Sequence, residues 1–509
     1  MTASTFAPSG LDAILREPRR AVAAILVLLV VFWTVFASLS RYNLDIHGDM
    51  VENFAWGIGW QLGYYKHPPL YSWISAVWLS IFPRTNFFYH MLSMTSVAAA
   101  TFAMWRISTR FFSPAQQVVL VATVFFLPPL TFLSINYNAT SAMAPFWAFT
   151  LLFYIRGLER RDSLDAFLVG LVAGLAMIAK YHSAVLLLAI FMHSIVDREA
   201  RSIYRTRLPW VALLGFIIPV APHIWWLFDT GFLTVRYAAE QGSGNWTDVL
   251  WSAAEFVPAM LLYSAPGFLV LAAHRYPRDG KPLFDVAQIR PWWATVQGRA
   301  LLAAIALPPV LTTMLGLVLD AQLSSLWSIP FFVFFPFLMV ACLPANLAER
   351  YRFVVPMLLG GFCVVALLLA PTMKRYTLSI GRSNSAIPIE QIAEAVQARW
   401  SALTDKPLRI VAGENNFLAN GVSFYSADRP YAVQSAQLAI TPWVTPSDIE
   451  QDGAALLCET AALRADCKQL AEGLLGRVDA REVFTVTMPG GAPAPDEREY
   501  QVYFRLPGT

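Results

Sequence analysis

Charge is scarce in this sequence. Only 14% of the 509 residues are Asp, Glu, Lys or Arg, while 57% are hydrophobic; a soluble protein carries roughly 25% charged residues. That is too little polar surface to coat a globule of this length, so an ordinary soluble enzyme is excluded. A net charge of +3, with no run of Lys and Arg interleaved with aromatics, gives no basis for a nucleic-acid partner. Cysteine is scarce too. Of the four, Cys342 and Cys363 fall in apolar runs. Cys458 and Cys467 remain as a pair that could bridge in an oxidising compartment, provided a turn or break between them brings their Cα atoms into range. Without one they are two free thiols on one helix.

Long apolar runs and aromatics are abundant. The 17 Trp residues suit a chain with two membrane–water interfaces to line. Arg16, Arg19 and Arg20 precede an apolar run from Ala21 to about Ser40. A signal-peptide core is only about 7–15 residues, so this run reads as an uncleaved first span. Further apolar segments fall near 68–83, 88–105, 115–134, 140–156, 164–178, 181–196, 208–228, 251–273, 300–320, 326–343 and 353–370. The expectation is a polytopic α-helical membrane protein of about 11–13 transmembrane helices. Segment 68–83 opens on Pro68-Pro69 and is expected at the interface or as a re-entrant dip.

Cytoplasmic loops concentrate Lys and Arg. The N-terminal arginines, Arg156–Arg161, Arg198–Arg207, His274–Arg299 and Arg350–Arg352 therefore fall inside. The last span then delivers the chain outside. From residue 372 the composition turns polar, with short strand-like pieces (Leu408–Ala412, Val422–Tyr425, Glu482–Thr487, Tyr500–Leu506) and helix-like stretches near 388–403 and 453–475. The expected organisation is a membrane domain over 1–371 and a soluble α/β domain over 372–509.

This topology gathers the unusual polar residues on the outer face. They are the first outer loop from Arg41 through Asp45, His47, Asp49, Glu52 and Asn53; the segment Tyr64-Tyr65-Lys66-His67-Pro68-Pro69; Asn138 and Thr140; Lys180-Tyr181-His182; and Arg236. Ionisable groups at membrane depth are costly and usually mark a function or a wet cavity. Lys and His can neutralise a phosphate, and a carboxylate can take a proton from an attacking hydroxyl. The same residue types also serve as interface anchors and snorkelling cations.

Three ordered segments carry a resemblance: Gly48-Asp49-Met50-Val51-Glu52-Asn53-Phe54-Ala55-Trp56, then Gly63-Tyr64-Tyr65-Lys66-His67-Pro68-Pro69-Leu70-Tyr71-Ser72-Trp73, then the glycine-rich Gly170 to Lys180-Tyr181. Weaker matches are Pro222-His223 with Trp225-Trp226, and Ser325 through Trp327 to Pro330. In order and spacing they resemble the GT-C class of polyprenyl-phosphate-sugar-dependent glycosyltransferases, nearest to the protein O-mannosyltransferase and lipid A aminoarabinose transferase family. The resemblance implies transfer from a polyprenyl-phosphate-linked sugar to a cell-envelope acceptor (lipid, lipopolysaccharide or polysaccharide), inverting, at the periplasmic face of a bacterial inner membrane. It makes Asp49 the general base, with Glu52 the nearby acid. Lys66, His67 and Lys180 become donor-phosphate contacts. On the same outer face, His47, Tyr64, Tyr65, Asn138, Tyr181, His182 and Arg236 are the expected substrate contacts.

Two departures stand out. The family's acidic pair reads Asp49-Met50, and the second outer loop offers Asn138 and Thr140 where an acid is common. Some GT-C enzymes use a divalent cation; His47, Asp49, Glu52 and His67 are acceptable ligand types, but their spacing matches no metal signature. A flippase of lipid-linked sugars would need mid-membrane charges and paired broken helices in two similar halves, and neither is present. A non-catalytic scaffold for envelope assembly is the remaining alternative.

Overall fold

The structure, a computed structural model, describes residues 17–240, 245–276, 286–380, 383–460, 467–492 and 496–508. Arg16 and the segments 277–285 and 461–466, to which the sequence reading assigns charge or helix, lie outside them. The chain forms two compact units. One comprises Met1–Thr34, Ser93–Ile135 and Ala139–Ala366; the other comprises Val35–Leu92, Asn136–Asn138 and Leu367–Thr509.

Six helices among the described residues are long and apolar enough to cross a membrane: Pro18–Ser40, Asn86–Ser108, Leu208–Asp229, Trp246–His274, Val296–Val318 and Tyr351–Ser379. The shortest has 22 residues, which at 1.5 Å each spans about 33 Å, enough for roughly 30 Å of hydrocarbon. Helix Leu208–Asp229 leaves Trp210, Ile218, Trp225 and Phe228 exposed. An apolar face of that extent suits hydrocarbon and not water. The chain is a multi-pass membrane protein.

Helices Ala139–Arg160, Ser163–Ala179 and Ala184–Val196 complete the first unit's longer elements. A Cβ at Gly170 would stand 1.7 Å from the Ala212 carbonyl oxygen, and one at Gly215 would stand 2.4 Å from that of Phe167. The glycine-rich run before Lys180 is therefore a helix–helix contact, in which small residues let two backbones approach.

Proline breaks two expected spans. Segment 115–134 is α-helical only over Pro114–Phe125, ahead of Pro128 and Pro129. Segment 326–343 becomes a 3₁₀ stretch, Ser325–Val333, followed by Phe335–Ala341, with Pro330 and Pro336 inside. Proline lacks the N–H that a helix interior requires and clashes with the preceding turn. Segment 68–83 folds as Leu70–Ile81. Its 12 residues reach about 18 Å, too short to cross.

The second unit holds a five-stranded sheet: β1 (Ile410–Gly413), β2 (Tyr431–Val433), β3 (Ala454–Glu459), β4 (Ala480–Thr487) and β5 (Glu497–Arg505), in the order β2-β1-β3-β5-β4. β1 runs parallel to β2 and β3, while β5 runs antiparallel to β3 and β4. One face buries Ile410, Ala412, Leu456 and Cys458 against Val433, Val444, Ile449 and Leu475. Helix Ile389–Leu403 contributes Trp400, whose ring meets Phe504 at 6.0 Å.

Two local expectations are corrected. Val422–Tyr425 is the end of a helix, Asn416–Tyr425, started by the Asn415 side chain accepting from Leu418 N–H. The expected helix over 453–475 is a strand at Ala454–Glu459, and its later part is the helix Cys467–Leu475. β3 lies between β1 and β5 and is buried along most of its length, so it reads as a continuous apolar run instead of alternating. Cys458 on β3 and Cys467 at the start of the following helix form a disulfide, their Cα atoms 6.3 Å apart.

Candidate functional site

The polar loop of the second unit is held by buried amides and a carboxylate. Asn43 donates to the carbonyls of Asn384 at 2.5 Å and Ile387 at 2.7 Å. The Asp45 carboxylate accepts from the backbone N–H groups of Gly48, of Asp49 at 3.2 Å and of Met50 at 2.7 Å. It thereby satisfies orphan donors at the start of the helix Asp49–Gly57 and sits where the helix dipole favours negative charge. Gly48 adopts φ +84°, and a Cβ there would lie 2.9 Å from the Phe417 ring. Only glycine meets both demands without strain. Burial, reinforced by the neighbouring Asp49 charge, pushes Asp45 up to about 6 against the pull of its N–H donors and Arg41.

Asp49 is the first residue of that helix, half-buried, and its Oδ2 accepts from Asn138 Nδ2 at 3.1 Å. One turn on, buried Glu52 takes the Lys66 ammonium at 2.9 and 3.2 Å and the Gln434 amide at 3.3 Å. Burial pushes Glu52 upward and Lys66 opposes it. Burial disfavours the Lys66 ammonium, but Glu52 and Tyr65 hold it above its usual range. Lys66 therefore stays charged, and its charge is matched by Glu52.

Around the pair the C-terminal segment is closely involved. Ser435 donates to Asn416 at 2.7 Å, and Asn416 donates to the Tyr65 hydroxyl at 3.0 Å. Asp49, Glu52, Lys66 and His47 line one cavity of about 670 Å³, together with Asn384, Glu414, Asn415, Asn416, Asn420 and Ser435. That volume falls in the range of small-molecule sites, roughly 300–1,000 Å³.

The first unit carries a polar cluster of its own. Lys180 ends the helix Ser163–Ala179, donates to Thr140 Oγ1 at 2.6 Å and lies 5.7 Å from the centre of the Trp327 ring. The Tyr181 hydroxyl meets His223 Nε2 at 2.6 Å, and His182 Nε2 meets Thr312 Oγ1 at 2.8 Å. Cation, imidazoles and indole occur together here.

The remaining expected site residues fall elsewhere. Tyr64 is fully buried, stacked on Trp56 at 4.8 Å, with its hydroxyl donating to the Trp56 carbonyl. That is a packing position, unlike the expected substrate contact. His67 lies edge-on to Tyr71, outside the cavity lining. Arg236 is exposed on the helix Leu233–Glu240 and donates to the Thr230 carbonyl at 3.4 Å. Among the described residues, no group of three or more His, Cys, Asp or Glu side chains is placed to hold a metal ion.

Sequence reasoning missed Asp45 as a cap and the whole contribution of Glu414 to Gln434. The one local signal is Gly413-Glu414-Asn415-Asn416, a polar cluster directly after a short apolar strand. In parallel sheets that strand end is where sites form.

Residues 66–226 match the family model described as dolichyl-phosphate-mannose-protein mannosyltransferase. Over 447 residues the chain is 24% identical to the lipopolysaccharide core galacturonosyltransferase RgtB of Rhizobium johnstonii (strain DSM 114642 / LMG 32736 / 3841), covering 81% of this chain and 84% of that one. Over 226 residues it is 24% identical to the lipid A galacturonosyltransferase RgtD of the same strain, covering 44% of this chain and 47% of that one, so the match spans about half of that relative's length. The crystal structure of ArnT from Cupriavidus metallidurans bound to undecaprenyl phosphate superposes with a TM-score of 0.61 at 13% identity, covering 96% of this chain and 99% of that one. The chain thus resembles the GT-C glycosyltransferases of the protein O-mannosyltransferase and aminoarabinose transferase family, in sequence and in fold.

Proposed function

We propose that this chain is an integral-membrane glycosyltransferase that moves a sugar from a polyprenyl-phosphate-linked donor to a hydroxyl of a cell-envelope acceptor. The observation that carries this reading is Asp49, a carboxylate that opens on a polar cavity while the neighbouring acid is already matched by Lys66. Asp49 is the base: it takes the proton of the acceptor hydroxyl as that oxygen attacks the anomeric carbon. The bond from that carbon to the phosphate oxygen breaks on the opposite face, so the configuration inverts. Polyprenyl phosphate leaves as a stable anion and needs no proton. Asn138 fixes the Asp49 carboxylate by donating to Oδ2, which leaves Oδ1 for the acceptor.

The departing phosphate calls for a cation. Lys180, with Tyr181, His182 and His223 nearby, supplies the charge and the hydrogen-bonding groups such an anion requires. Lys66 and His67 belong to this role by family likeness, but Lys66 would first have to leave Glu52. In this reading Lys66 holds Glu52 in place, and Lys180 bears the donor. The positive-inside pattern puts the N-terminus in the cytoplasm and residues 372–509 in the periplasm of a bacterial inner membrane. The lipid-modifying relatives make lipid A or lipopolysaccharide core the first acceptors to try.

The test is transfer of radiolabel from polyprenyl-phosphate galacturonic acid, or another polyprenyl-phosphate sugar, to lipopolysaccharide in proteoliposomes. Transfer by the wild type, and its loss in a folded Asp49→Asn variant, is the expected result. Full activity in that variant removes Asp49 as base. Absence of transfer with every donor tried favours the scaffold reading.

A further inference from the structure

We infer that the turn after β1, Glu414-Asn415-Asn416, with Asn420 one helical turn further on, is the subsite that reads the acceptor's sugar ring. The inference rests on the reading of Asp49 as the base. A base must lie within hydrogen-bond reach of the proton it removes, so the ring bearing the attacking hydroxyl occupies the cavity onto which Asp49 opens. That cavity is lined by this turn.

The chemistry of the lining fits a pyranose. Sugar hydroxyls are both donors and acceptors, and amide side chains answer both needs from one planar group. Asn415 uses its Oδ1 to cap Leu418, which leaves its NH₂ as a donor group. Asn420 is 1% exposed; its Oδ1 accepts from Gln434, while its buried NH₂ has no partner among the described residues. Glu414 Oε1 accepts from Glu459 N–H at 3.0 Å, leaving Oε2 for a further donor. Phe417 adds an apolar ring to the same wall, a surface for the C–H face of a pyranose.

The lining also argues against a phosphate here. Its one Lys or Arg side chain among the described residues is Lys66, bound to Glu52 at 2.9 Å, and Asp49 and Glu414 add negative charge. A donor phosphate would face two carboxylates and an occupied ammonium. A neutral hydroxylated ring meets only groups it can satisfy.

Two substitutions delete ligand-facing groups and keep the structural bonds. Asn415→Asp retains the oxygen that caps the Asn416 helix, since Asp is an equally good cap, but removes the NH₂. Glu414→Gln retains an acceptor for Glu459 N–H. Each variant is purified as the full chain in proteoliposomes, with its thermal midpoint confirmed close to wild type. Transfer is then assayed with lipopolysaccharide as acceptor and the polyprenyl-phosphate sugar that supports wild-type activity. The expected result is a rise in acceptor KM of roughly five- to tenfold per variant, the loss of about one hydrogen bond, with donor KM unchanged. A rise in donor KM instead would place the donor sugar in this cavity and overturn the inference. Unchanged KM for both substrates would overturn it as well. An inactive wild type defeats the transferase reading itself, a separate outcome from either.

Discussion

The two polar clusters of this protein are made of opposite materials. In the second unit the cavity is built from carboxylates and amides, and its one lysine among the described residues, Lys66, is matched by Glu52. In the first unit Lys180 stands with Tyr181, His182, His223 and Trp327, and its contacts include a hydroxyl and an indole. In the proposed reading the carboxylate-lined cavity accepts the proton and the lysine-bearing cluster holds the anion. On that reading the contrast assigns base chemistry to one cluster and phosphate binding to the other.

The largest effect expected from this contrast is at Asp49. Asp49→Asn should lower transfer by roughly 10²–10⁴, the usual contribution of a general base, and leave donor KM unchanged. A shift in donor KM with little change in kcat would break the division of roles. Next comes Lys180. Lys180→Ala should cost about 10²–10³ in kcat/KM for the donor, with Lys180→Arg recovering part of it and acceptor KM unaffected. If Lys66→Met produced that donor defect and Lys180→Ala did not, the assignment of the two lysines would be reversed.

The ion pair sharpens the comparison through stability. Removing one partner of a fully buried pair costs about 3–5 kcal/mol; the cost should be lower here because Lys66 keeps 25% of its side chain exposed. Glu52→Ala should therefore lower the thermal midpoint and the double variant Glu52→Ala/Lys66→Met should recover most of it. Additive losses in that cycle would show that the pair is not coupled.

The smallest effect is a pH dependence from Asp45. Its folded value, about 6, lies above the unfolded value of roughly 3.9. The stability this group contributes is therefore complete below the unfolded value and is lost as pH rises through about 6. Activity should run the other way, because protonation removes the carboxylate that caps Gly48 and Met50. Transfer should fall a few-fold as pH drops through 6, and Asp45→Asn should flatten both trends. A wild-type profile without a step near 6, measured as kcat against pH, would exclude Asp45 as its source.

Much of the architecture was legible because membranes impose simple rules. Apolar runs of about 20 residues have few alternatives in hydrocarbon, and the six long helices fall where those runs lie. Less legible was the broken backbone at Pro128-Pro129 and Ser325–Val333, where proline overrides an apolar pattern. Ala454–Glu459 misled for a different reason. Alanine and leucine favour helix by propensity, but burial between two neighbouring strands decides the outcome.

The candidate site divides in the same way. The ordered motifs containing Asp49, Lys66 and Lys180 were visible along the chain, as were the residue types that proton transfer and phosphate binding require. Composition and hydrophobic period also determined the membrane class and the polar C-terminal segment, because these follow from transfer of side chains between water and hydrocarbon. The partner of Lys66 was decided only by tertiary structure, as were the burial of Tyr64 and the joining of Glu414–Asn420 to the Asp49 cavity. Those contacts link residues as far apart as Glu52 and Gln434. Their geometry is set by packing of the sheet and its helices, which no local pattern encodes.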